Sequence, residues 1–194
     1  MRFTNLLFAL ALGGAVSAQT QLVRGKVEDV SGTNRFILDC TTIPLVSRAL
    51  NLNTLVGAQW NLQVIDVGTP GAPRLDVQSA TPATKIFDMG NLRFGRAERW
   101  QVNYTPGSMT AVFVQATSAT SYLPLGAAGA WLLGANAAFV NAGVVNGQGQ
   151  FEFRLTMPTI PSLVGVSFSG QAVVAPPSAP LLITNADCRE VRAD

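Results

Sequence analysis

The 194-residue chain contains no histidine. That single absence removes Ser-His-Asp and Cys-His catalysis, histidine-ligated zinc and histidine-held haem. Cysteine is nearly missing as well, with Cys40 and Cys188 the two present. Two thiolates are too few for a structural zinc site or an iron–sulfur cluster, and no Cys-x-x-Cys redox motif exists. Lysine occurs only at Lys26 and Lys85, and arginine supplies the remaining basic groups. Charged residues make up 12% of the chain, about half the usual share of roughly 25%. The formal net charge is +2 with no basic run, so nucleic acid is a poor partner. No G-x-S-x-G elbow, P-loop or Rossmann glycine pattern appears. "GNLRFGRAERW" (90–100) has two glycines in a basic setting but not the tight glycine loop that cradles phosphate, and it reads as a charged connector. "EDVSGTN" (28–34) lacks the acidic spacing of a calcium loop and reads as a turn.

What is present begins with a leader. "MRFTNLLFALALGGAVSAQT" has Arg2, an apolar run from Leu6 to Leu12 and small residues up to Ala18. This predicts a secretory signal peptide over 1–18, cleaved after Ala18. The apolar run is too short to span a bilayer, which needs about 20 residues. The expected product is a secreted, periplasmic or cell-surface chain with no transmembrane segment after cleavage. No cysteine sits at the cleavage point to carry a lipid. In an oxidising compartment Cys40 and Cys188 make most simply one disulfide. Two free buried thiols are the alternative.

Hydrophobic residues reach 48%, enough for a core, and helical periodicity is weak. Alternation bounded by turn residues predicts an all-β chain. Five strands are expected at 22–30, 35–40, 42–47, 58–67 and 74–80, with turns at "SGTN" (31–34) and "GTPGAP" (68–73). Between the third and fourth, Asn53 or Thr54 is expected to cap one helical turn that Gly57 ends. From Gln101 to Ala186 the ionisable residues among Asp, Glu, Lys and Arg are Glu152 and Arg154 alone. "FEFRLTM" alternates, and "GVSFSGQAVV" turns Val166, Phe168 and Ala172 inward and Ser167, Ser169 and Gln171 outward. With Pro158 and Pro161 between them, these two segments read as a hairpin-like core unit in an antiparallel β-sandwich.

"LVRGKVEDVSGTNRFIL", "NLNTLVGAQWNLQVID" and "PRLDVQSA" together resemble an OB-like five-stranded barrel, which implies a Greek-key domain over 19–84. "IPSLVGVSFSGQA" followed by "ITNA" is similar to a C-terminal module found on many secreted bacterial proteins; that family has no assigned activity and implies secretion and a β-sandwich. Residues 85–99 are expected to link the two halves, with the sandwich over 100–194.

The expected function is therefore a non-enzymatic secreted β-protein in binding, adhesion or envelope and matrix structure, with self-association favoured by the scarcity of charge. No cofactor or metal is expected. The alternatives are an OB-like module that captures an oligosaccharide or peptide, and a histidine-free hydrolase working through two carboxylates. Candidate ligand-binding side chains are the aromatics Trp60, Trp131 and Tyr122. Trp60 and Trp100 sit in alternating strands and read as core. Glu152 and Arg154 read as a solvated pair. "NYT" (103–105) is a glycosylation acceptor pattern.

Overall fold

The computed structural model describes residues 19–116 and 121–193. The signal peptide expected over 1–18 lies outside the described residues. Among the described residues helix is limited to four short 3-10 turns, and no helix is long and apolar enough to cross a membrane.

Strands β1 (Gln21–Asp29), β2 (Phe36–Leu38), β3 (Pro44–Val46), β4 (Gln59–Asp66) and β5 (Leu75–Pro82) close a barrel in the order β1-β2-β3-β5-β4. β3 and β5 pair in parallel, and the other pairs are antiparallel. This closed barrel is OB-like. Its interior follows from alternation: Val23, Val27, Leu62, Val64, Leu75 and Val77 all point in and are fully buried. Gly25 lies among them because a Cβ there would meet Leu38 Cδ1 at 2.7 Å. A 3-10 turn at Leu52–Leu55 buries both its leucines against the barrel. Its cap is Asn51, whose Oδ1 accepts from the Asn53 amide at 3.1 Å, rather than Asn53 or Thr54. The expected stop holds at Gly57, where φ is 87°.

The second half carries β6 (Phe87–Asp88), β7 (Leu92–Arg93), β8 (Ala97–Asn103), β9 (Met109–Ala116), β10 (Leu123–Pro124), β11 (Ala130–Trp131), β12 (Ala138–Val144), β13 (Gln150–Thr156), β14 (Ser167–Ala175), β15 (Leu182–Ile183) and β16 (Asp187–Arg192). The larger sheet runs β12-β9-β14-β16-β7, with β15 also on β14; the smaller runs β13-β8-β6. The two pack face to face. Phe87, Trp100 and Val102 of the small sheet share a core with Val112, Ala172 and Val174 of the large one. The Trp100 ring lies 6.1 Å from Phe87 and 5.7 Å from Phe153. The arrangement is not wholly antiparallel, since β16 and β7 run parallel with Val191 opposite Leu92.

Residues 85–99 are not a connector: Phe87, Met89 and Leu92 are core, spaced between charges that mask the pattern. The segments 151–157 and 166–175 are not a hairpin, because β13 and β14 belong to opposite sheets. Ser169 and Gln171 do face away from the sandwich interior, yet both are fully buried. The reason is that the segment after β11 and the barrel cover that face. Gln171 clamps the cover: its Oε1 accepts from the Leu132 amide at 3.0 Å and its Nε2 donates to the carbonyls of Ala130 and Thr184 at 2.9 Å.

The same cover brings Ala130, Leu132, Leu133 and Ala186 into the barrel's hydrophobic cluster. The Cys40–Cys188 disulfide then ties the end of β2 to β16, with the Cα atoms 5.4 Å apart.

Candidate functional site

The β4–β5 turn is the first wall of a broad cleft. Asp66 shapes that turn by accepting from the amides of Gly68 (2.9 Å) and Arg74 (3.1 Å). This is an Asx-type turn, in which a short carboxylate replaces a backbone acceptor. The second wall is the β10–β11 arm, where Leu123 pairs with Trp131. Trp131 is half-buried and meets Phe113 edge-on at 5.3 Å and 82°, a favourable geometry for aromatic quadrupoles. Between the walls lies a cavity of about 920 Å³ lined by Asp66, Pro70, Pro73, Tyr122, Trp131 and Leu133, among others. That is a ligand-sized volume.

Two of the three aromatics singled out from sequence, Tyr122 and Trp131, thus come together here. Trp60 does not. It packs on the barrel core, and its Nε1 donates to the Leu55 carbonyl at 2.8 Å, fixing the 3-10 turn to β4. The β4–β5 turn was not singled out from sequence as a wall. The signal for it was the OB-like strand order, since the loop between strands four and five flanks ligands in such barrels.

Among the described residues Asp66 is the one carboxylate lining this cleft. Tyr122 is the other titratable group there, and burial, with the Asp66 charge behind it, pushes its phenol up to about 12. It therefore stays protonated at any physiological pH. Its hydroxyl is enclosed without a hydrogen-bond partner among the described residues. The cleft offers an apolar, aromatic, nearly uncharged bed, and one carboxylate is half of the pair that glycoside hydrolysis uses.

The remaining candidates fall elsewhere. Glu152 pairs with Arg99 at 3.4 Å rather than with Arg154. Asn103 of the acceptor pattern accepts a hydrogen bond from Gln101 Nε2. Asp39, Cys40 and Cys188 gather within 4.8 Å, but both sulfurs are spent in the disulfide, which leaves a single carboxylate and no thiolate for a metal.

A second surface feature is the outer face of the large sheet. Register aligns Val144, Met109 and Ala175 in one row and Ala142, Ala111 and Val173 in the next. Phe139, 5.8 Å from Phe113, continues the face. Met109, Val144 and Phe139 are each more than half exposed. β12 forms the open edge of this sheet and carries no charge, whereas β13, the edge of the opposite sheet, carries Glu152 and Arg154.

Comparison with protein-family models, with curated proteins and with solved structures finds no match to this chain.

Proposed function

We propose that the protein is an exported, non-catalytic binding module whose cleft holds an uncharged oligosaccharide. The observation that carries this reading is the convergence of the OB-like barrel's β4–β5 turn with Trp131 and Tyr122 around one ligand-sized cavity. Sugars present apolar faces that stack on indole and phenol rings, and the cleft's charge is confined to Asp66 among its described lining residues, which a sugar hydroxyl can solvate in place of water. Asp66 has a second oxygen free of the turn-forming bonds and suits a sugar hydroxyl. Export is supported by the leader at 1–18 and by the disulfide, a bond of oxidising compartments. The likeness of the second half to a module of secreted bacterial proteins points the same way.

The test is calorimetric titration of the chain lacking residues 1–18 with neutral β-linked gluco-, xylo- and chito-oligosaccharides. Binding to at least one is expected, with tryptophan fluorescence altered. Trp131→Ala should weaken it by about tenfold, or ~1.4 kcal/mol; because Trp131 also packs against Phe113, the variant is titrated well below its own, lowered melting temperature. Affinity unchanged in Trp131→Ala, or no binding by any neutral glycan, sinks the reading.

A second reading, self-association, is favoured by the uncharged β12 edge beside exposed Met109, Val144 and Phe139. Among the described residues β12 has no lysine, proline or covering element; its one guard is the irregularity between Phe139 and Asn141, and the regular stretch beyond it is a template for another strand. A second copy offering its own β12 in antiparallel register meets no charge to desolvate. The outward amide of Ala142 is held by its neighbour's Asn141 Oδ1 at 2.9 Å, so pairing exchanges that local bond for a ladder. Sedimentation velocity should show concentration-dependent dimers that Ala142→Lys abolishes. A monomer at every concentration removes this reading.

A further inference from the structure

On the outside of the barrel, β1 and β4 place Arg24 directly opposite Asn61. Arg24 then leans across the seam between the two halves. Its Nη1 donates to the carbonyls of Ala128 and Ile183, both at 3.0 Å. The chain is shaped around this guanidinium: a Cβ on Gly129 would sit 2.8 Å from Nη1, and φ at Gly129 is 117°. Both carbonyls are neutral acceptors, so the positive charge remains uncompensated. No carboxylate forms an ion pair with Arg24 among the described residues. Burial pulls its pKa down, with nearby Tyr104 acting in the opposite direction.

Beside it opens a cavity of about 530 Å³ lined by Arg24, Asn61, Thr84 and Tyr104, with Ile86 and Leu182 also on its walls. No acidic residue among the described residues lines it. The Asn61 amide and the Thr84 and Tyr104 hydroxyls make no hydrogen bond within the described residues, so their full capacity is free. Nε and Nη2 of Arg24 are likewise uncommitted. A half-buried cation without a counter-charge, ringed by three neutral hydrogen-bonding groups, is an arrangement that waits for an anion.

We infer that this seam pocket binds a monocarboxylate sugar, the carboxylate on the free edge of Arg24 and the hydroxyls on Asn61, Thr84 and Tyr104. The charge count selects the class. One guanidinium neutralises one negative charge, and its planar fork matches a carboxylate. A phosphate dianion would leave a second charge partly desolvated with no cation to meet it. The hydroxyl and amide groups separate a sugar acid from a bare fatty or short-chain acid, which has nothing to offer them. The pocket shares no lining residue with the Trp131 cleft, so each stands or falls alone.

The experiment is titration of the chain lacking residues 1–18 with D-glucuronate, D-glucose, acetate and inorganic phosphate, followed by calorimetry and by the Asn61 side-chain amide signal in NMR. Glucuronate is expected to bind at least about tenfold more tightly than the other three, and to weaken as salt is raised. Arg24→Gln should abolish that preference. Because Arg24 also joins the two halves, Asn61→Ala and Tyr104→Phe serve as variants that spare the joint. Each should weaken glucuronate by about threefold to tenfold with an unchanged melting temperature. Equal affinity for glucuronate and glucose, tighter binding of phosphate or acetate, or full affinity in both Asn61→Ala and Tyr104→Phe overturns the assignment.

Discussion

Replacing Asn185 by alanine should cost this fold more than any surface change. Asn185 is 2% exposed and uses its whole amide. Its Oδ1 accepts from the amides of Ile86 (2.9 Å) and Phe87 (3.1 Å), and its Nδ2 donates to the carbonyls of Phe87 (2.9 Å) and Ala186 (3.1 Å). One side chain thus serves as the missing strand partner for the start of β6. Alanine strands two buried amide donors and leaves the Phe87 carbonyl short of its side-chain donor. Each stranded group costs roughly 1–3 kcal/mol if no water enters. The expected loss is about 3 kcal/mol or more, which for a chain of this size lowers the melting temperature by roughly 6–12 °C. Thermal melts and urea titrations followed by near-ultraviolet circular dichroism read this directly. Asn185→Asp is the companion variant: it keeps the acceptor but turns a carboxylate oxygen toward the Phe87 and Ala186 carbonyls, so it should be destabilised too, and more so at neutral than at acid pH. A fall of less than about 2 °C for Asn185→Ala would refute the idea that this amide holds the first strand of the second half.

Two further outcomes are expected. The disulfide closes a span of 148 residues, which in the chain-entropy account is worth about 5 kcal/mol. Reduction, or Cys40→Ala with Cys188→Ala, should lower stability by that order, and the unreduced chain should take up no alkylating agent when unfolded, as mass spectrometry will show. Acid should act in opposite senses on two aspartates. For Asp88, burial pushes the carboxyl up, but Lys85 at 2.6 Å and Arg189 at 3.4 Å prevail and hold it below its ordinary value. Its contribution is full above the unfolded Asp value of about 3.9 and is lost as pH falls through the lower folded one. For Asp39, burial and then the Glu28 charge raise the carboxyl against Lys26, so its ionised form is penalised at neutral pH and acidification relieves it. Melting temperature against pH should therefore show a shallower acid limb in Asp88→Asn and a gain at neutral pH in Asp39→Asn. Superimposable curves for wild type and both variants would contradict this electrostatic account.

Alternation of side chains is a local property, and wherever it decided the outcome the sequence sufficed. The five barrel strands were expected within two residues of where they lie, because Val23, Val27, Leu62, Val64, Leu75 and Val77 each declare a face without reference to any other segment. The pairing of Cys40 with Cys188 needed only their number and an oxidising setting. Trp131 and Tyr122 were legible as aromatics in search of a role, but not as neighbours of the β4–β5 turn.

What the sequence by itself determined is the β character of the chain, the OB-like run of strands and the scarcity of reactive groups. What only the tertiary structure decided is which faces are covered. Ser169 and Gln171 look solvent-facing in their strand and are buried, because the segment around Leu132 lies over them. Phe87 and Met89 look like parts of a charged connector and are core, because Asn185 and Asp187, almost a hundred residues later, supply partners for their amides. Both the cleft and the seam pocket join residues from opposite halves of the chain. The period of a strand records the side on which each residue points, but the free energy of burial depends on what arrives to cover that side, and here the cover comes from far along the chain.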